Sequence, residues 1–338
     1  MNEEQLQAIE KGDPPDPDAG IFGLTFSPKD SSLVLIPVPW DATVSFGNGA
    51  ATGPKAIIEA SHQLDLEDPC FGQPYRKGIA MIPEYAPINT WNQQAHKLVT
   101  QVRQQQNPEQ QIAAVNALSQ KVNDYVEKTS LSYIKQNQKV AVVGGDHSSP
   151  LGLIKALAQS YEEFGILHID AHFDLRKAYE NFSMSHASIM YNVLQEVPQV
   201  KKIVPVGIRD FCKPEMDFVR ANQERIQAYL DRDLSRIKLS GESFSSIVQV
   251  IINELPKNVY VSFDIDGLSP EYCPSTGTPV PGGLSYHEAC YLIEELALSD
   301  KNLIGFDLCE VCRSSDQKGW DENVASRILY KLCGALLK

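Results

Sequence analysis

Gly165-Ile166-Leu167-His168-Ile169-Asp170-Ala171-His172-Phe173-Asp174 reads as a short apolar, β-branched run that ends in three potential metal ligands. Two other stretches repeat the pattern. Lys139 to Val143 leads into Gly144-Gly145-Asp146-His147-Ser148, and Asn258 to Val261 leads into Ser262-Phe263-Asp264-Ile265-Asp266. In an extended chain, side chains at i, i+2 and i+4 share one face. Asp170, His172 and Asp174 are therefore expected to point the same way, and so are Asp264 and Asp266. With His147 these make four carboxylates and two imidazoles, too many for one transition-metal ion but suited to two ions bridged by carboxylates. Taken singly, His147 after two glycines reads as a cap or turn residue, and an isolated Asp-x-Asp reads as turn chemistry. Crowded together, the carboxylates need cations or must take up protons.

Further apolar runs end near Val206 and Leu308, and a first strand reads from Ser32 to Val38. Pro54 opens a helix after a loop from Pro39 to Gly53. Strands alternating with helix-like segments predict an α/β fold with a mainly parallel sheet covered on both sides. In such sheets sites form beyond the carboxyl ends of the strands, where all six candidate ligands fall. Residues 1 to about 30, rich in Asp, Pro and Gly, are expected to form a poorly ordered arm, with residues 31–338 as a single domain. The Gln-, Lys- and Leu-rich stretch from about 95 to 136 predicts one or two surface helices, its Gln104-Gln105-Gln106 run forming a solvated face or loop.

The 338 residues, 43% hydrophobic and 22% charged, suffice for a sizeable core. A net charge of −13 argues against nucleic acid or anionic membrane as main partners and agrees with a cationic small molecule. No run of about 18 apolar residues predicts a spanning helix. Met1 to Pro17 lacks a signal-peptide pattern, and seven scattered cysteines read as reduced thiols, so a cytoplasmic location is expected.

These motifs, with Thr276-Gly277-Thr278-Pro279 and Gly282-Gly283-Leu284 after them, resemble the signatures of the ureohydrolase family, which includes arginase, agmatinase and formiminoglutamase. The resemblance runs from about Val34 to the C-terminus. It implies a three-layer α/β/α fold, two manganese or nickel ions, and hydrolysis of a guanidinium or formimino carbon by hydroxide generated between the metals. Carried over by motif, His147 and Asp174 hold one ion, His172 and Asp266 the other, and Asp170 and Asp264 bridge them. Asp174 also accepts a hydrogen bond from the nucleophile. His186, in Ser185-His186-Ala187-Ser188, matches the family's proton-shuttling histidine, and Glu310 the glutamate that pairs with the guanidinium. Outside that context His186 reads as an ordinary loop histidine. Cys309 and Cys312 read as packing residues, since no second pair accompanies them. The loop Trp40 to Gly47 resembles the family segment that shapes the pocket mouth and subunit contacts.

The segment Asp174-Leu175-Arg176 with Tyr179-Glu180 and Ser185-His186-Ala187 looks most like the agmatinase branch, which implies agmatine hydrolysis to putrescine and urea. Formiminoglutamase shares Asp-Leu-Arg and stands as an alternative, beside arginase, guanidinobutyrase, guanidine hydrolase and a non-catalytic scaffold. The family also implies a homo-oligomer, a trimer or hexamer. Three departures stand out: Asn181 for a glycine, Ser269 for an aspartate before Pro270, and Cys312-Arg313 after Glu310-Val311, a change expected to touch the pocket wall.

Overall fold

The computed structural model describes residues 3–16, 18–104, 107–315 and 318–338. Among them the strands are β1 (Leu33–Val38), β2 (Ile79–Met81), β3 (Lys139–Gly144), β4 (Phe164–Ile169), β5 (Val200–Ile208), β6 (Tyr229–Leu230), β7 (Asn258–Asp264) and β8 (Asn302–Cys309). The helices are α1 (Glu3–Glu10), α2 (Gly53–Ser61), α3 (Ala86–Gln104), α4 (Glu109–Ile134), α5 (Leu151–Ala158), α6 (Ile189–Glu196), α7 (Lys213–Ala221), α8 (Asp231–Leu239), α9 (Phe244–Glu254), α10 (Tyr286–Leu298) and α11 (Trp320–Leu337). The strands form one sheet in the order β2-β1-β3-β8-β7-β4-β5-β6, every pairing parallel.

Strand alternation divides the core in two. Leu33, Leu35, Ala141, Val143, Leu167, Ile169, Val259, Val261 and Phe263 face α2, α8, α9, α10 and α11. Val34, Ile36, Val140, Val142, Phe164, Ile166 and Tyr260 face α3 to α7. This is the three-layer α/β/α architecture, and its buried strands need apolar residues on both faces.

Sheet order determines where the chemistry sits. β3, β8, β7 and β4 are consecutive neighbours at its centre. Their carboxyl ends lead directly to His147, Glu310, Asp264 and Asp170, residues far apart in sequence. One glycine makes the junction possible. A Cβ on Gly145 would lie 1.9 Å from Trp40 O and 2.7 Å from Val38 O, both backbone atoms. Gly145 also receives the Glu310 N–H at its carbonyl (2.8 Å) and donates to Val38 O (2.9 Å), tying β1, β3 and β8 together.

One expectation needs correction, and two strands went unread. Residues 21–24 of the expected arm are core: Ile21, Phe22 and Leu24 are buried, and the Phe22 ring meets Tyr330 edge-on at 4.9 Å. Three large apolar residues in an otherwise polar stretch explain why that part docks. The edge strands β2 and β6, at three and two residues, are too short for any periodicity to announce them. The stretch from 95 to 136 falls within α3 and α4, which bury Ala95, Val99, Val115, Val122 and Val126; Gln105 and Gln106 lie outside the described residues. No helix among the described residues is long and apolar enough to cross a membrane.

Gly145→Ala is expected to lower unfolding free energy in urea by about 1–3 kcal/mol, because neither contacting carbonyl can move alone. An unchanged midpoint would show that the junction has slack.

Candidate metal centre

β3 ends in a turn that Asp146 closes by accepting the Ser148 N–H at 3.0 Å. The turn aims the buried His147 ring across the ends of β7 and β4. His147 Nδ1 lies 3.0 Å from Asp170 Oδ2, 3.2 Å from Asp174 Oδ2 and 3.3 Å from Asp264 Oδ2. Its other nitrogen lies 2.8 Å from Ser262 Oγ, and that hydroxyl donates to Asp307 Oδ1 at 3.2 Å. With its hydrogen committed to Asp307, Ser262 accepts from Nε2–H, so Nδ1 is the nitrogen that faces the carboxylates and the one whose lone pair a metal would take in place of a proton.

β4 stops at Ile169, and Asp170 to Asp174 run on as irregular chain with a bend at Ala171 and one isolated parallel bridge, His172 to Asp210. Asp170 Oδ1 accepts the His172 N–H at 2.6 Å, while Oδ2 accepts from His168 Nε2 at 2.8 Å. His172 Nδ1 lies 3.1 Å from Asp266 Oδ2 and 3.5 Å from Asp170 Oδ1. Asp174 has φ 53°, a left-handed conformation uncommon for an aspartate. The expected strand-face alignment of Asp170, His172 and Asp174 is therefore incorrect in cause, although the three side chains do converge. Asp264 likewise ends β7 and caps a 3-10 turn, Ile265–Gly267, accepting the Asp266 N–H at 2.9 Å. Asp266 Oδ1 then accepts the Ala171 N–H at 3.0 Å, joining that turn to the segment after β4.

Among the described residues three groups of donor atoms lie within 4.8 Å of one another: one is His147, Asp307 and Cys309, and the other two are His147, His168, Asp170 and Asp174, and Asp170, His172 and Asp266. Asp170 belongs to both of the latter, the place of a bridging ligand. The electrostatics point the same way. Burial would depress both histidines, yet the surrounding carboxylates push His172 up to about 12 and raise His147 well above its usual range. Burial, and then Asp170, lifts Asp174 to about 6; burial, Asp266 and Asp170 raise Asp264. Asp170, held down against its burial by His168, His147 and His172, is the exception; a cluster that pushes both ligand histidines and two of its carboxylates toward protonation is short of positive charge. Two divalent cations would supply it and displace the imidazole protons, so the donor set fits a binuclear centre.

Sequence reasoning missed the support beneath. His168, Ser262 and Asp307 face one another across β4, β7 and β8 in register. His168 lies hidden in an apolar run, although its place two residues before Asp170 on one strand face was the available signal. Asp307 Oδ2 and His168 Nδ1 are buried without partners.

Above the ligands opens a cleft of ≈ 140 Å³ whose wall includes Ser45, Arg176, Tyr179, His186, Asp210, Glu215, Thr278 and Glu310. His186 Nδ1 and N both lie 3.4 Å from Thr43 Oγ1. Burial, with the positive His172, His147 and Arg176 nearby, pulls His186 down to about 4. Glu310 has φ 62°, and its Oε1 accepts the His147 N–H at 3.0 Å. Burial and the nearby Asp146 raise its pKa.

The departures are also explained. Asn181 has φ 68°, a region glycine occupies freely and asparagine tolerates. Ser269 serves its turn through backbone bonds to Leu284 O and from Tyr272 N–H. Cys312 and Arg313 do not line the cleft: Cys312 is buried near Gly49, and Arg313 pairs with Glu59 at the surface. The expected effect on the pocket wall is thereby corrected. All seven cysteines are free.

Residues 31–334 match the model of the arginase family. The chain is 29% identical over 316 residues to an N(1)-aminopropylagmatine ureohydrolase of Thermus thermophilus, covering 93% of this chain and 94% of that one. It is 26% identical over 310 residues to an agmatinase of Bacillus subtilis, with 92% and 93% covered. The crystal structure of a hypothetical agmatinase from Burkholderia thailandensis superposes with TM-score 0.71 at 24% identity, covering 94% of this chain and 89% of that one.

Asp170→Asn, which removes the shared carboxylate charge, should reduce bound manganese from about two ions per chain to below one. Full occupancy in the purified variant, read by elemental analysis, would contradict the bridging position.

Proposed function

Since the chain belongs to the arginase family, whose ureohydrolases cleave amidine C–N bonds, we propose that its substrate is a guanidino compound with a cationic tail, agmatine first, cleaved to the free amine and urea. His147 and Asp174 would hold one divalent cation and His172 and Asp266 the other, with Asp170 and Asp264 spanning both. Manganese is the preferred assignment and nickel the alternative. Bound there, the pair lowers the pKa of a water and so supplies a nucleophile at neutral pH.

The chain's own groups do the rest. Asp174, at the cleft floor, accepts a hydrogen bond that orients the attacking water. Glu310 offers a carboxylate to the guanidinium, a planar donor that carboxylates bind in a fork. Its left-handed backbone turns that side chain inward from the end of β8. His186, at the cleft wall, carries a proton to the departing amine nitrogen, which must leave neutral.

The observation that carries the choice of tail is the charge arrangement at the rim. Asp210 is exposed there and makes no side-chain hydrogen bond or ion pair with another described residue. Arg176, the group that would receive an acidic tail, is already engaged. Its Nε lies 3.6 Å from Glu215, and its guanidinium stacks 4.7 Å above the Tyr179 ring. A free carboxylate and a charge-paired arginine on the same cleft favour an amine over an acid. This supports agmatine or its aminopropyl derivative over guanidinobutyrate or formiminoglutamate. On the same reading the catalytic unit is residues 31–338 with Ile21, Phe22 and Leu24 packed into its core, working in the cytoplasm as a homo-oligomer.

The test is a panel of agmatine, N(1)-aminopropylagmatine, arginine, guanidinobutyrate, formiminoglutamate and guanidine, run with Mn²⁺ and with Ni²⁺. Urea release from the first two is expected; turnover confined to the acidic compounds would refute the assignment. Asp210→Asn should raise KM for agmatine roughly fivefold, the scale of one exposed charge pair, with kcat little changed. An unaltered KM would remove Asp210 from tail recognition.

A further inference from the structure

We propose that Arg103, outside the cleft, is a positioning residue for His186, stapling together the two loops that bracket it; this rests on the reading of His186 as the proton carrier. His186 is flanked by one residue from each loop. Thr43, from the loop after β1, places its hydroxyl 3.4 Å from both His186 N and Nδ1. Tyr179, from the loop after β4, meets the imidazole edge-on at 5.8 Å. The sequence neighbours of those two, Val44 and Glu180, are joined by one side chain. Arg103 Nη2 donates to Val44 O at 2.9 Å and to Glu180 Oε2 at 2.7 Å, and its Nε donates to the same carboxylate oxygen at 3.0 Å.

The staple has a firm base. Arg103 lies in the last turn of α3, which is anchored by buried Ile88, Ala95, Val99 and Val102. The same helix grips the start of the first loop. Asn92 exchanges hydrogen bonds with Asp41 at 2.9 and 3.0 Å, and His96 Nε2 reaches Asp41 Oδ1 at 2.7 Å. Asn92, His96, Val99 and Arg103 recur at helical spacing, so one face of α3 can follow the loop along its length. The second loop turns back at a two-residue hairpin closed by Tyr179 N–H to Phe182 O at 3.1 Å and Phe182 N–H to Tyr179 O at 2.8 Å, with Phe182 buried against Val99, Val102 and Val115 of α3 and α4. Glu180 and Asn181, at φ 49° and 68°, are the left-handed central pair of that turn, so Arg103 grips the second loop at its tip.

The consequence for His186 is a defined ring. Thr43 Oγ1 can accept the backbone N–H and turn its own hydrogen to Nδ1, which makes Nε2 the protonated nitrogen of the neutral ring. Loosening either loop shifts that ring relative to the leaving nitrogen. A displacement of about 1 Å in a reacting group can cost on the order of 10²-fold in rate. The Arg103–Glu180 pair is itself partly exposed, so its removal should scarcely change global stability.

The experiment compares Arg103→Met, His186→Ala and the double variant, each loaded with Mn²⁺ and assayed with agmatine, together with amide hydrogen exchange over residues 41–48 and 175–187. Arg103→Met should lower kcat about tenfold or more, leave metal content and melting temperature unchanged, and speed exchange in both segments. On a His186→Ala background it should lower kcat no further. If His186→Ala lowers kcat but Arg103→Met does not, or if the two losses multiply, the staple is refuted while the reading of His186 stands. If His186→Ala retains full kcat, the reading of His186 falls and the staple's role falls with it. Arg103→Lys, which keeps the charge without the planar fork, should recover only part of the rate; full recovery would refute the need to reach both loops.

Discussion

Several carboxylates forced into a buried space with too little positive charge are the constraint on which the rest of this molecule depends. Asp170, Asp174, Asp264 and Asp266 are all buried, and the histidines among them are drawn toward protonation. Left unpaired, such charges would oppose folding by several kcal/mol each. The segments that hold them therefore need dense backbone support. Asp170, Asp264 and Asp266 each accept a main-chain N–H from these segments. Arg209 spreads its guanidinium over the carbonyls of Gly207, Asp266, Leu268 and Val280, tying the β5 end to the segment that carries Thr278.

The sheet supplies that support because of its topology. Parallel strands point all their carboxyl ends the same way, and the order β3-β8-β7-β4 sets the three ligand-bearing ends and the β8 end that carries Glu310 side by side. Beneath the ligands a polar row, His168, Ser262 and Asp307, runs across three strands. Buried polar groups in a sheet interior cost stability unless satisfied. Here they set the ring orientation of His147 and anchor Asp170, so a local cost serves the geometry of the centre.

Much of this was legible beforehand, and for a physical reason. Buried parallel strands read as unbroken apolar runs, so Ser32–Val38, Lys139–Val143 and Gly165–Ile169 agree with the observed β1, β3 and β4 to about one residue at either end. The six candidate ligands are brought together as their positions after strands implied. The manner of convergence was not legible. Alternation along a strand cannot describe Asp174 at φ 53°, because the chain has already left the strand. Nor could pattern reveal Arg103, whose partners lie 59 and 77 residues away and make sense only once two loops face each other. The buried Ile21, Phe22 and Leu24 were lost among prolines and aspartates, a composition that resembles a linker while hiding a docking segment.

A crystal soaked in Mn²⁺ and recorded at the manganese absorption edge addresses the central claim most directly. Two anomalous peaks should appear, one beside His147 and Asp174, the other beside His172 and Asp266, with Asp170 and Asp264 between them. A single peak, or none with the side chains turned away from one another, would contradict the account.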